Sequence, residues 1–92
     1  MMQYTYEVTL DAPLGKKRGL LVLNAFAGDC RGVLSLMSFS NPVHGSVDAD
    51  GACTLMWNLP FTAEGQIDLE SLELTLHWGG RSYALHGNIR QA

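Results

Sequence analysis

A pair of glycines near the end of the chain constrains the fold more than any other feature. Gly79-Gly80 predicts a two-residue turn, because both central positions of a type I′ turn need a positive φ, which glycine adopts without strain. Apolar and polar residues alternate over 69–89, the two-residue period of strands with one buried face. We therefore predict a β-hairpin whose register the turn sets. The predicted pairs are Trp78 with Arg81, Leu76 with Tyr83, Leu74 with Leu85 and Glu73 with His86.

Similar runs separated by turn residues predict the earlier strands. The run at 17–25 is apolar on both faces, and pairing Leu21 with Leu36 joins it to the next strand through a four-residue loop. We interpret 38–42 as a break, because serine, asparagine and proline favour turns. The predicted strands lie at 3–11, 17–25, 32–39, 43–48, 52–59 and 61–67, followed by the two arms of the hairpin. The segment 61–67 is either a separate strand or the tail of its predecessor across a proline bend.

These strands predict an all-β fold in a single domain, residues 1–92. Short loops between all neighbours favour an up-and-down antiparallel β-barrel of seven or eight strands over a Greek key. Closure is preferred because it leaves no strand edge exposed, and a two-sheet sandwich is the alternative.

The strand phases predict which side chains face the interior. Glycines on the inward phase are expected where a small barrel must bend, at Gly45, Gly65 and Gly87. The predicted interior consists of Tyr4, Tyr6, Val8, Leu10, Leu21, Leu23, Leu34, Leu36, Val43, Val47, Leu55, Trp57, Leu59, Phe61, Ile67, Leu72, Leu74, Leu76, Trp78, Tyr83, Leu85 and Ile89.

The two cysteines are predicted to be free thiols that are not bonded to each other. Cys30 is assigned to the loop around 27–30, and Cys53 to the inward face of a strand. Their spacing matches neither a CxxC motif nor a disulfide scaffold, and a disulfide needs Cα atoms within about 7 Å of each other.

We expect neither a nucleic-acid nor a membrane partner, the first because of the charge balance and the second because of the hydropathy pattern. The net charge is −3, and the only basic run is Lys16-Lys17-Arg18. The sequence shows neither a secretory signal nor an apolar run long enough to span a membrane as a helix, so we expect a cytoplasmic protein.

No motif for catalysis, metal binding or a cofactor is recognised in the sequence. His44, His77 and His86 are too far apart in sequence to form a metal-binding motif. Asp48-Ala49-Asp50-Gly51 is interpreted as a turn, because the glutamate that ends a calcium loop is replaced by Trp57. We therefore expect no catalytic residues, no metal ligands and no cofactor.

Apolar residues on the outward phase are what the predicted fold leaves unexplained. Val33 is one of them, and a contiguous exposed apolar patch usually marks an interface. The proposed interface on the outer face of strands two to five is Leu20, Val22, Met37, Phe39 and Met56. This patch predicts self-association or binding of a protein partner, unless loops cover it or the phase is inverted there.

A small apolar-ligand carrier is the alternative function. An eight-stranded barrel is just wide enough to be filled by its own side chains or to hold one small ligand. The expected pocket lies near one barrel mouth, beside Trp57, Trp78 and Tyr83.

Three features carry a family resemblance: the Gly-x-Leu-x-Leu strands at 19–23 and 32–36, the Asp-x-Asp-Gly turn at 48–51 and the closing leucine hairpin. With these features the chain resembles small bacterial β-meander proteins of unassigned function. More loosely it is similar to short lipocalin-like barrels, although its first strand carries Tyr4-Thr5-Tyr6 where true lipocalins have Gly-x-Trp. The looser resemblance implies binding of a small apolar ligand.

Overall fold

The computed structural model describes residues 2–13, 15–36, 39–57 and 61–90, with only the backbone of residue 2. The described residues form eight strands and no helix. The strands are β1 (Met2–Ala12), β2 (Gly15–Phe26), β3 (Asp29–Leu36), β4 (Phe39–Val47), β5 (Ala52–Met56), β6 (Phe61–Ile67), β7 (Ser71–Trp78) and β8 (Arg81–Ile89). Accordingly, the described part of the chain contains no helix of the length and apolarity that a membrane crossing requires.

Each strand pairs antiparallel with the next, and β8 pairs with β1, so the sheet closes into an up-and-down barrel. This confirms the predicted fold with eight strands, excludes the two-sheet sandwich, and makes 61–67 a separate strand. One row of paired residues runs Met2, Ala25, Cys30, Gly45, Leu55, Ala63, Leu76 and Tyr83. Because Leu10 pairs with Leu85, Tyr83 lies opposite Ala12, and the row returns to β1 at Ala12. One circuit of the barrel therefore shifts the row by ten residues along β1, from Met2 to Ala12 (12 − 2). Such a stagger requires strands that are strongly tilted to the barrel axis.

The closing hairpin has the predicted register. Gly79 and Gly80 have φ values of 57° and 78°, as a type I′ turn requires. All four predicted pairs are present, including Leu76 with Tyr83. The local turn chemistry and the alternating pattern were therefore sufficient to fix this part of the sheet.

The register predicted for β2 and β3 is wrong by two residues. Leu21 pairs with Leu34, not with Leu36, and a tight turn at Ala27 and Gly28 replaces the four-residue loop. This turn requires a φ of 52° at Ala27, a conformation that costs an L-residue about 1–2 kcal/mol. The sequence predicts a turn around 27–30 but not this two-residue form, because alanine rarely adopts a positive φ.

The boundary between β3 and β4 also differs from the prediction. Phe39 begins β4 instead of ending β3, and residues 39–42 are strand, not a break. Within this segment Pro42 pairs with Val33 on β3. Residues 37 and 38 lie outside the described part of the chain.

The barrel interior contains the predicted apolar residues, with one clear exception. Trp78 is on the inward phase but is 52% exposed. It is the last residue of β7, so its side chain lies at an open end of the barrel. Cys30 and Ala63, which the prediction did not include, are buried, and Leu59 is outside the described residues. The buried core is Tyr6, Val8, Leu21, Leu23, Cys30, Leu34, Val43, Cys53, Leu55, Trp57, Ala63, Leu72, Leu74, Leu76 and Leu85. The other predicted interior residues pack against it while partly exposed: Tyr4, Leu10, Leu36, Val47, Phe61, Ile67, Tyr83 and Ile89.

Glycines on the inward phase allow neighbouring strands to approach each other closely. A Cβ built on Gly45 would overlap the carbonyl oxygen of Thr54 on the adjacent strand. The same overlap with a neighbouring carbonyl oxygen occurs at the other inward glycines, Gly19, Gly32, Gly65 and Gly87. The inward placement predicted for Gly45, Gly65 and Gly87 is confirmed. A side chain at any of these positions would force two strands apart.

We predict that Gly45→Ala destabilises the barrel by about 3 kcal/mol or more, because backbone atoms cannot move away as a flexible side chain can. Gly79→Ala is the matched control: no atom lies within 4 Å of its Cβ, and its cost of about 1 kcal/mol comes only from the positive φ. Urea denaturation of both variants measures the difference. A Gly45→Ala variant as stable as Gly79→Ala would show that this close approach is not required.

Candidate functional site

A cavity of about 300 Å³ opens at one end of the barrel, between the β4–β5 and β6–β7 turns. We call this end the mouth. Its apolar lining comes mainly from strand ends: Tyr4, Tyr6, Leu23, Ala25, Cys30, Val47, Ile67 and Leu69. A cavity of this volume lies at the lower limit of the range for small-molecule sites.

Several of the described inward side chains near the mouth are small, which leaves room for the cavity. Ala25 on β2 pairs with Cys30 on β3, and the row continues to Gly45 on β4. Larger side chains fill the middle of the barrel, where Leu21 and Leu55 are completely buried. The interior is therefore packed in the middle and open at the mouth.

Tyr6 connects the first strand to the mouth. Its hydroxyl donates a 2.7 Å hydrogen bond to the backbone carbonyl oxygen of Asp68, in the β6–β7 turn. Burial of the ring, followed by the nearby groups Tyr4, Asp68 and Cys53, raises the pKa of the Tyr6 phenol to about 12. Tyr6 thus stays protonated, and able to donate, over the ordinary pH range.

Aspartates shape both turns that border the mouth. Oδ1 of Asp48 accepts hydrogen bonds from the backbone N–H groups of Asp50 and Ala52, at 2.8 and 2.9 Å. Such side-chain-to-backbone bonds stabilise turns, which confirms 48–51 as a turn.

The β6–β7 turn repeats this arrangement. Oδ1 of Asp68 accepts from the N–H groups of Glu70 and Ser71, both at 2.7 Å. The backbone N–H of Ser71, then that of Glu70, lowers the pKa of the Asp68 carboxyl. Asp68 is therefore ionised at neutral pH.

The two cysteines are free thiols, as predicted, and both are buried, although Cys30 lies in β3 and not in a loop. The two thiols lie close enough to influence each other's pKa, and on the intervening strand β4 Gly45 is opposite Cys30 and Val47 is opposite Cys53. Burial raises the pKa of both thiols, that of Cys53 to about 12. Both are therefore weak nucleophiles, although Cys30 lines the cavity.

The residues predicted to line a pocket lie at the opposite end of the barrel. Phe61 contacts both Trp57 and Trp78, with ring centroids 6.4 and 4.9 Å apart. Tyr83 pairs with Leu76 on the inward phase. None of these residues borders the mouth cavity.

The residues predicted to form an outer interface are only partly brought together. Val22, Val33 and Pro42 form one continuous row across β2, β3 and β4, and Leu20 lies on the same face of β2. Met56 faces outward beside His44, as predicted, and is 41% exposed.

Phe39 does not belong to this row. It pairs with Leu36 and therefore has the inward phase, so its assignment to the outer face is wrong. It is nevertheless 64% exposed, because it begins β4 at the end of the barrel opposite the mouth. Met37 lies outside the described residues.

The outer face also carries a polar network that the sequence analysis missed. His77 Nδ1 lies 3.1 Å from Ser82 Oγ, and His77 Nε2 lies 3.1 Å from Glu64 Oε1. This connects a hydroxyl, an imidazole and a carboxylate, as nucleophilic hydrolases do. All three residues are substantially exposed, and none lines the mouth cavity. We therefore interpret the network as polar contacts that link the outer faces of β6, β7 and β8. Only the cross-strand pairing of His77 with Thr62 and Ser82 could have indicated it.

The remaining histidines form no cluster. His86 lies 3.6 Å from the Asp11 carboxylate, and His44 is exposed on β4. Within the described ranges, no group of three or more His, Cys, Asp or Glu residues is arranged to hold a metal ion.

No family model, curated protein or solved structure matches this chain. Its function must therefore be argued from the geometry of the barrel itself.

We predict that Tyr6→Phe destabilises the protein by about 1 kcal/mol at pH 7, because the Asp68 carbonyl oxygen loses its donor. Tyr83→Phe is the matched control, since the Tyr83 hydroxyl forms no hydrogen bond with a described residue, and its effect should be small. Urea denaturation measures both variants. Equal losses would show that the Tyr6 bond does not contribute.

The same variant predicts a pH dependence. The pKa of Tyr6 is about 12 in the folded protein and 10.0 ordinarily, so its contribution is complete below pH 10 and is lost as the pH rises toward 12. Only the unfolded chain ionises this phenol in that interval. The advantage of the wild type over Tyr6→Phe should therefore narrow between pH 10 and 12, whereas a constant difference would contradict the raised pKa.

Proposed function

We propose that the protein is a non-catalytic carrier that binds one small apolar molecule in the mouth cavity. The observation that supports this most strongly is a cavity of about 300 Å³ with a largely apolar wall in a closed barrel. Eight-stranded barrels are wide enough to hold one small ligand, and such sites are usually preformed. Because closure fixes the strands around the cavity, little conformational entropy is lost when a ligand binds.

A non-catalytic role is supported by the position of the reactive groups. Both thiols are buried with raised pKa values, and the Ser82–His77–Glu64 network lies on the exposed outer face, away from the cavity. A lipocalin-like ligand class stays part of this proposal. A second location for the pocket, beside Trp57, Trp78 and Tyr83 at the opposite end, is an alternative within it.

We expect a neutral apolar dye, such as phenyl-naphthylamine, to bind with one-to-one saturation and increased emission. Ala25→Phe should abolish binding by filling the cavity, because Ala25 lies in its wall. Ala84→Phe adds the same side chain on the exposed outer face and should leave binding unchanged. Dye titration of the three proteins, with circular dichroism as the control for folding, measures the effect.

Two results would contradict the mouth location. If Ala25→Phe binds the dye as the wild type does while Trp57→Phe does not, the ligand occupies the opposite end. If the wild type shows no saturable binding, the carrier proposal is wrong.

Self-association through the outer face is a second candidate function. It is favoured by the apolar row of Val22, Val33 and Pro42, in which Val33 is 40% exposed. A closed barrel has no free strand edge, so two copies or a protein partner would have to meet face to face. The row is narrower than the predicted interface, which makes this candidate weaker than the carrier.

We predict that Val22→Lys combined with Val33→Lys converts a homodimer into a folded monomer, because outward positions accept charge. Thr75→Lys with Ala84→Lys places the same charges on another exposed face and should preserve the dimer. Sedimentation velocity measures the mass and thermal unfolding measures the stability. A wild type that is monomeric at high concentration, or a control that dissociates equally, rules this candidate out.

A cytoplasmic location is also proposed. It is supported by the cysteine usage, since two cysteines without the density or spacing of a disulfide scaffold are typical of proteins in a reducing compartment.

A further inference from the structure

The charges around the cavity are of one sign. The described residues that line it include three carboxylates, Asp48, Asp50 and Asp68, and no lysine, arginine or histidine. None of the three carboxylates forms an ion pair with a described residue, since the ion pairs present involve Asp11 and Glu64. An anionic ligand such as a fatty acid would therefore be repelled by the carboxylates at the mouth.

The fold itself holds these carboxylates in place. Asp48 and Asp68 each use one oxygen to accept two backbone N–H groups, which fixes the side chain and leaves the negative charge unpaired. The Asp50 carboxylate forms no hydrogen bond with a described residue. Three negative charges at an apolar opening favour a cation whose apolar part enters the cavity.

The distribution of charged residues over the two ends of the barrel also favours a cation at the mouth. In and beside the turns at the mouth, Arg31 and Arg90 oppose six acidic residues: Asp29, Asp48, Asp50, Asp68, Glu70 and Glu73. Beside the turns at the opposite end, Lys16, Lys17 and Arg81 outnumber Asp11. The resulting field attracts cations to the end where the cavity opens.

Aromatic rings in the wall add a second means of holding a cation. Tyr4 and Tyr6 both line the cavity, with ring centroids 6.4 Å apart. The face of a tyrosine ring attracts a cation, by about 0.5–1 kcal/mol at an exposed site. A cationic group at the mouth would therefore lie near both aromatic rings and carboxylates.

We propose that the cavity selects an amphipathic cation, whose apolar body lies between Ala25, Val47 and Ile67 and whose positive group lies at Asp48, Asp50 and Asp68. This inference rests on the proposed carrier function, because it assigns the chemical class of the ligand that the same cavity binds.

The test uses three ligands with one tail and different head groups: octyltrimethylammonium, octanol and octyl sulfate. Competition with the neutral dye measures their affinities. At low salt the cation should bind about three- to tenfold more tightly than the alcohol, and the sulfate more weakly than the alcohol. High salt should reduce the ratio of the affinities for the cation and the alcohol toward one, because salt screens charges at a solvent-exposed mouth.

The variant Asp48→Asn/Asp50→Asn/Asp68→Asn removes the charges and keeps an oxygen acceptor for each turn. It should bind octanol as the wild type does and lose the preference for the cation. Asp11→Asn, which removes one negative charge at the opposite end, is the matched control and should keep the preference. If the triple variant does not fold, Asp50→Asn alone should lower the preference two- to threefold, because the Asp50 carboxylate holds no turn.

The outcomes separate the two proposals. Equal binding of all three ligands by the wild type would leave the carrier function standing and overturn the cation preference. A preference that survives the loss of all three carboxylates would also overturn it. If the dye binds but none of the three ligands competes with it, only the cation preference is overturned. If the dye does not bind either, both proposals are wrong.

Discussion

The structure depends on the close approach of neighbouring strands at inward-facing glycines. Closing eight short strands into a narrow barrel requires sharp coiling, and a Cβ at Gly32 or Gly45 would overlap the backbone of the adjacent strand. These glycines permit the pairing of β8 with β1 that removes every free edge. The apolar core and the cavity are both consequences, because only a closed barrel surrounds an interior on all sides.

Closure also gives the barrel two different ends. At one end, Trp57, Phe61 and Trp78 form an aromatic cluster, and basic residues lie close by. At the other end, small inward residues leave a cavity, and aspartates in two turns surround its opening. Tyr6 connects the core to this opening through its bond to the Asp68 carbonyl oxygen. The chemistry of the mouth therefore depends on turn residues that contribute little to the core.

The apolar surface on the outer face is smaller than the sequence predicts. Leu20, Val22 and Val33 do face outward, but Phe39 does not, so the apolar surface is a row and not a broad patch. The Ser82–His77–Glu64 network has the connectivity of a hydrolytic site, yet exposed groups without an enclosing cleft lack the low dielectric that such chemistry uses. Polar contacts between neighbouring strands are sufficient to explain the geometry of this network.

The sequence alone determined what depends on neighbours along the chain: the Gly79-Gly80 turn, the register that follows from it and the alternation that separates inside from outside. These are properties of φ preferences and of the two-residue period of a strand. Only the tertiary structure decided the β2–β3 register, because β2 and β3 must also pair with β1 and β4 around the barrel, and the observed register is adopted despite the unfavourable φ of Ala27. It also decided where the cavity lies. That location follows from the summed volumes of inward side chains on several strands, such as Ala25, Cys30 and Gly45, which become neighbours only when the barrel closes.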